Sequence, residues 1–242
     1  MSTNYSPELV TDGLTLCVDA NAVSSYPGSG STWYDISGYG NNLTNNGATF
    51  NSAGYFDFDS DRMEHWTSTA PGLTNGAFTV CGWISPDSFT SSNSYLGILN
   101  RSDGTGSGHV FSMFLSSSSG SGSYGTAGSM AAWVRNSAEV SQTYTSSSAC
   151  LTTLAEWNFC VWRYQDGAGM TFDLFDSSGQ VTNTQSTSIT LITDTSNQFT
   201  IGGWRSDYYF NGKIANIAQY FRRLSDAEVK QNFNAHRSRF GL

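Results

Sequence analysis

The sequence predicts an all-β fold, a jelly-roll sandwich of two antiparallel sheets with one short C-terminal helix. Three observations predict it. The chain is rich in aromatic residues (7 Trp, 12 Tyr, 15 Phe) and in Gly, Ser, Thr and Asn, the residues of pleated half-buried surfaces and of the turns between them. Apolar and polar residues alternate with period two in about ten short runs spread from end to end. A helix signal occurs once, at the end of the chain.

The runs are Leu14–Val18, Tyr55–Phe58, Phe78–Ile84, Tyr95–Leu99, Val110–Leu115, Met130–Val134, Trp157–Tyr164, Met170–Phe175, Phe199–Ile201 and Lys213–Phe221. So many strands without interleaved helices require two packed sheets. In Trp157–Tyr164 both alternating faces are largely apolar, which fits a central strand. Ser116–Ser129 (SSSSGSGSYGTAGS) is low-complexity Gly/Ser. Strand patterns continue on both sides of it at equal density, so it reads as a long loop of one sandwich rather than as a linker. Residues 13–242 therefore read as one domain behind an N-terminal arm, residues 1–12. The arm or a sheet edge is expected to dock on a partner. In the final segment, Ser225-Asp-Ala-Glu228 is a capping box, in which the Ser hydroxyl and the Glu carboxylate satisfy backbone N–H groups at a helix start. Val229, Phe233 and His236 follow at helical spacing, so the helix should span about 225–237 and cover part of the sandwich.

Charge narrows the function classes. Only 12% of residues are charged, against about 25% in an average domain, and the net charge is −8. Nucleic-acid binding needs a cationic face, and the one basic cluster, His236, Arg237 and Arg239, complements a helix C-terminus. Cys17, Cys81, Cys150 and Cys160 form no CxxC pair and no Cys-His cluster. Three of them sit inside apolar runs as small hydrophobes, and sequence leaves their disulfide state open. The N-terminus lacks the basic and apolar regions of a signal peptide, and no run of about 18 apolar residues could span a membrane.

Both ends carry recognisable motifs. Residues 13–21 (GLTLCVDAN), 25–28 (SYPG), 32–38 (TWYDISG) and Asn41-Asn42 form the opening. Gly202-Gly203-Trp204, Phe210-Asn-Gly-Lys-Ile214, Tyr220, Arg223–Val229 and Phe233-Asn-Ala235 form the close. Together they resemble the laminin-G-like, concanavalin A-like lectin/glucanase domains found in phage and marine-virus structural proteins. The resemblance implies two stacked, curved sheets. Its relatives include glycan-binding modules, adhesins, virion appendages and some glycoside hydrolases, and the same fold hosts unrelated functions. It also implies a structural calcium at the rim, for which Asp19, Asp35, Asp59 and Asp61 are the candidate ligands. Asp19 and Asp35 each also begin a turn, where an Asx side chain caps backbone N–H groups. Asn216 stands where such relatives carry an acidic residue. No cofactor is required.

One carboxylate set could support hydrolysis. Asp57, Asp59 and Asp61 alternate along one strand, and residues two apart lie about 6.5–7 Å apart, near the spacing of a retaining glycosidase pair. Yet the hydrolases that the chain resembles use glutamates, and Glu8, Glu64, Glu139, Glu156 and Glu228 nowhere show such spacing. There is no nucleophile elbow and no phosphate-binding loop. The simpler reading directs Phe56 and Phe58 to the core and the aspartates to water. Sugar binding would need exposed aromatic platforms beside polar groups. The turn-proximal Trp33, Tyr34, Trp204, Tyr208 and Tyr209 are the candidates, while Trp83, Trp133, Trp157 and Trp162 lie in strands and read as core.

The expected function is non-enzymatic. The first reading, implied by the resemblance, is a structural, decoration or tail-appendage protein of a phage-like virus, on the virion exterior and made in the host cytoplasm without a signal peptide. Its partners would be capsid or tail proteins and host-surface glycans, with no nucleic acid and no membrane insertion, and a homo-oligomer is compatible with it. The alternative is a lectin-like carbohydrate-binding module, and a glycoside hydrolase ranks third.

Overall fold

The computed structural model describes residues 8–65, 76–90, 94–102, 109–118, 125–135, 140–186, 190, 198–203 and 208–242. These hold sixteen strands: β1 (Leu14–Asp19), β2 (Thr32–Trp33), β3 (Leu43–Asn46), β4 (Thr49–Asn51), β5 (Tyr55–Asp59), β6 (Arg62–His65), β7 (Ala77–Pro86), β8 (Tyr95–Ser102), β9 (His109–Ser116), β10 (Ser129–Arg135), β11 (Ser141–Cys150), β12 (Asn158–Gln165), β13 (Gly169–Asp176), β14 (Gly179–Gln185), β15 (Gln198–Ile201) and β16 (Asn211–Tyr220). Helix α1 (Asp226–His236) and a 3-10 turn (Arg237–Phe240) follow. No described helix is long and apolar enough to cross a membrane.

The strands form two eight-stranded sheets. The first runs β14-β13-β12-β7-β16-β5-β4, with β1 sharing the β16 edge, and the second runs β11-β10-β9-β8-β15-β6-β3-β2. Every pairing is antiparallel. Between the sheets lies a core that includes Phe56, Phe58, Phe78, Phe111, Met113, Met130, Val134, Trp162, Phe172 and Phe199, almost all sealed from solvent. Each such side chain gains about 1.5–3 kcal/mol from leaving water. The turn at Gly202-Gly203 depends on the missing side chain: Gly202 has φ +81°, and a Cβ there would overlap the Phe58 ring. As expected from its two apolar faces, β12 is central, between β13 and β7.

The outer face of the first sheet is covered as well. Trp83 stacks on Phe240 at 4.2 Å and on Phe233 at 5.6 Å, and Phe175 stacks on Phe233 at 4.6 Å, so α1 and the 3-10 turn seal this side. The capping box forms as its residues predict, with Ser225 as N-cap and both reciprocal hydrogen bonds present. Underneath, the buried guanidinium of Arg163 pairs with Asp173 at 2.8 Å and with the helix residue Asp226 at 2.6 Å.

The described part of the N-terminal arm packs on its own chain. Val10 is buried, its N–H donates to Asn232 Oδ1 at 2.9 Å, and its carbonyl accepts from Tyr220 Oη at 2.9 Å. The amide of Gln231 donates to the Glu8 carbonyl at 2.7 Å. Residues 8–12 are thus a strap across the first sheet, and residues 1–7 of the expected arm lie outside the described residues.

At one side of the sandwich the edge strands of the two sheets, β11 and β14, face each other. The Gln185 side chain closes the seam by accepting the Thr145 N–H at 3.2 Å and donating to the Thr145 carbonyl. The side-chain amide takes the place of a missing strand, one way of shielding an exposed edge.

A candidate carbohydrate-binding face on the second sheet

The predicted sugar platforms are dispersed. Trp33 is fully buried and its ring lies 4.9 Å from Phe56 in the core, so it offers no face to a ligand. This corrects its reading as a platform: at the end of a two-residue strand, its side of the sheet is the inward one. Tyr34 points the other way and is 44% exposed, but β2 lies four strands from β8, roughly 19 Å at the usual strand spacing. Trp204 lies outside the described residues. Tyr209 is half-buried against Gly203. Tyr208 stacks flat on Tyr95, with ring centroids at 4.3 Å and an interplanar angle of 7°.

Tyr208 leads to a site that turn proximity alone does not reveal. Along β10, Met130, Ala132 and Val134 enter the core, so Ala131, Trp133 and Arg135 point outward. Trp133 is half-buried there, edge-on to Tyr95 at 4.9 Å and to Phe114 at 5.6 Å. Tyr95, Phe114, Ala131, Trp133 and Tyr208 form a separate apolar cluster. The sequence reading had placed Trp133 in the core. The outward signal was present in its strand, where Trp133 shares a face with Arg135.

Beside this cluster the register aligns a row of side chains across the whole sheet. Thr143, Trp133, Ser112, Asn100, Thr200, Glu64, Thr44 and Thr32 are successive partners from β11 to β2. In the middle, Asn100, Ser112 and Thr200 are only 2%, 3% and 2% exposed. The Ser112 hydroxyl donates to Asn100 Oδ1, but Asn100 Nδ2 and Thr200 Oγ1 have no hydrogen-bond partner. A buried polar group left unmet costs about 1–3 kcal/mol, and two lie here in adjacent strands, as Trp83 Nε1, Ser85 Oγ and Gln219 Oε1 do elsewhere in the molecule. At the far side Glu64 holds Arg62 at 3.2 Å and Asn46 Nδ2 at 2.7 Å.

The four candidate calcium ligands do not converge. Asp35 is an organiser of backbone: its carboxylate accepts the N–H groups of Cys17, Ser37 and Asn41, each at 2.9 Å, and the Ser37 hydroxyl at 2.8 Å. Asp19 accepts the Asn21 N–H and pairs with Arg239, both at 2.8 Å, and stands 3.6 Å from His236. Asp59 and Asp61 belong elsewhere. Asp59 pairs with Asn211 on β16 and Asp19 with Asn216, five residues or roughly 16 Å along the strand. Among the described residues no group of three or more His, Cys, Asp or Glu is arranged to hold a metal. The residues present do not fit one calcium centre.

The carboxylates of β5 are likewise not one row. Phe56 and Phe58 are fully buried, Asp57 is half-buried and Asp59 exposed, as the alternation requires. The chain then turns at Ser60 (φ +64°), and Asp61 folds back to accept the Asp59 N–H at 3.1 Å. Burial pushes the Asp57 carboxyl above its ordinary range, against the opposing pull of Lys213. Lys213 is itself bound to Asp87 at 2.5 Å.

A laminin-G-type family model, described as the concanavalin A-like lectin/glucanases superfamily, matches residues 61–230. The chain belongs to that superfamily, and its two antiparallel sheets have the expected jelly-roll form. No curated protein sequence matches it. Among solved structures it is similar to the binding domain of botulinum neurotoxin DC in complex with rat synaptotagmin II, with a TM-score of 0.64 at 12% identity over 93% of this chain and 52% of that one. The same domain type in a botulinum neurotoxin type C structure, described as dependent on two ganglioside molecules for cell entry, gives 0.62 at 12% over 93% and 52%. The Trypanosoma rangeli sialidase with 2,3-difluorosialic acid gives 0.61 at 15% over 95% and 34%. The chain thus spans about half the length of the toxin domains and a third of the sialidase. At these identities the likeness is one of fold.

Proposed function

We propose that the chain is a non-enzymatic, lectin-like module that binds carbohydrate on the outer face of its second sheet. The observation that carries this reading is the aromatic cluster of Trp133, Tyr208 and Tyr95 beside a polar row that holds two buried, unpartnered donors. Sugars present apolar C–H faces to aromatic rings and hydroxyls to amides and hydroxyls, and this face offers both side by side. Solved relatives of the same fold support the reading, since a title among them names gangliosides and another a sialic acid derivative.

Binding without hydrolysis is favoured because Asp57 and Asp59 lie on the outer face of the other sheet, away from this cluster, and Asp61 is turned back on itself. Display on a phage-like particle, implied by the family resemblance, would use the same face, and co-purification with intact particles tests that role. A glycan array with and without chelator tests the binding. Saturable binding insensitive to chelator, lost in Trp133→Ala and weakened at least tenfold in Asn100→Ala, is expected. Absence of binding across the array, or hydrolysis abolished by Asp59→Asn, would overturn the proposal.

A further inference from the structure

On the opposite side of the sandwich, α1 and the β13–β14 hairpin enclose an open cleft of about 500 Å³. Lys230, Phe233, Asn234 and Arg237 line it at positions i, i+3, i+4 and i+7, one stripe of the helix surface. At 1.5 Å per residue the backbone positions of Lys230 and Arg237 are about 10 Å apart along the axis, and the Arg237 guanidinium lies over the Phe233 ring, 6.0 Å from its centroid. Phe175 and Phe233 give the cleft an apolar floor, and Gln180 faces the helix from the hairpin.

Arg62, Arg163, Lys213, Arg222 and Arg239 each have a carboxylate within 3.2 Å. Lys230 and Arg237 have no ion pair among the described residues. Asp176, the acid in the wall, has its Oδ1 occupied: it accepts the N–H groups of Ser178 at 2.7 Å and Gly179 at 3.1 Å, and the Ser178 hydroxyl at 2.5 Å. Arg237 complements the carbonyl end of the helix, whereas Lys230 is the fifth of the eleven residues of α1, away from that end.

We propose that this cleft is a second binding site, for an acidic oligosaccharide. Two sugar carboxylates would meet Lys230 and Arg237, both of which line the cleft. The intervening ring would lie on the apolar floor, and its hydroxyls would reach the amides of Asn234 and Gln180. The proposal stands apart from the face on the second sheet, which uses none of these residues. A bare polyphosphate fits less well, because it has no sugar ring to lie on the floor of Phe175 and Phe233.

The test titrates the full chain with a galacturonic acid tetrasaccharide, with the neutral galactose tetrasaccharide, and with a single-stranded oligonucleotide of equal charge. Saturable binding of the acidic sugar alone, weakened by added salt and reduced at least tenfold in Lys230→Gln/Arg237→Gln, is the expected result. Both residues are exposed, so an unchanged melting temperature should show that the variant folds. Trp133→Ala should bind the acidic sugar as the parent does, which separates this site from the other face. No saturable binding, an unaffected double variant, equal binding of the neutral sugar, or preference for the oligonucleotide would each overturn the proposal.

Discussion

The hydroxyl of Thr200 contributes nothing to the free chain that a methyl group would not, because it is buried and has no partner. Replacing an unmet buried polar group by an apolar one of the same shape is neutral or stabilising. Thr200→Val should therefore raise stability by about 1 kcal/mol while weakening sugar binding, measured by denaturant unfolding alongside a glycan titration. A loss of stability would mean that the hydroxyl is satisfied within the chain. The cysteines make a second case. Cys17 and Cys81 both oppose Ala218 from either side of β16, two strand spacings or about 9.5 Å apart, too far to bridge. All four cysteines are free. Burial pushes the Cys81 thiol up to about 12 and raises Cys17 and Cys160 as well, and the thiolate is the reactive form. Native protein should alkylate at the half-buried Cys150 alone, and denatured protein at all four sites, as counted by mass.

At the scale of elements, α1 owes its start to one carboxylate. Glu228 accepts from Ser225 N at 2.8 Å and from Arg222 Nη2 at 2.6 Å, and the Arg222 guanidinium, with the Ser225 donors, lowers its pKa to about 2. A depressed carboxylate stabilises the fold above its unfolded pKa, near 4.5, and that contribution is lost as pH falls through about 2. Stability measured between these pH values should fall in the parent and stay flatter in Glu228→Gln. The helix and its cap were legible in sequence because capping chemistry is local. The ten alternating runs likewise fall in strands, with Trp157 and Phe221 one residue outside theirs. Six strands were not legible, for two physical reasons. Strands β11 and β14 are polar edges that give the core only Tyr144 and Ala149, with Val181 packed against it, too few apolar residues for a period to show. Strands β2, β3, β4 and β6 have two to four residues, too few for a period to show. The candidate face was legible only in part. Tyr208 could be picked out, but the row from Thr143 to Thr32 exists only through cross-strand register, which no single segment encodes.

The whole molecule is asymmetric about its core. One outer face is roofed by the strap, α1 and the 3-10 turn, and it buries aromatic rings such as Trp83 and Phe159. The other carries a small aromatic cluster and unmet polar groups. Substitutions in the polar row, which is not part of that roof, should perturb ligand affinity more than folding. The strap adds a consequence of orientation. Glu8 is tied to Gln231 and Leu242 to Arg237, so Glu8, the first described residue, and Leu242 lie on the same side. A tether at either end would grip the module by its back and present the candidate face outward, as a hand holds a mirror. A bulky domain fused to the C-terminus should accordingly leave sugar binding at Trp133 unchanged, and a tenfold loss would show that the two faces are not independent.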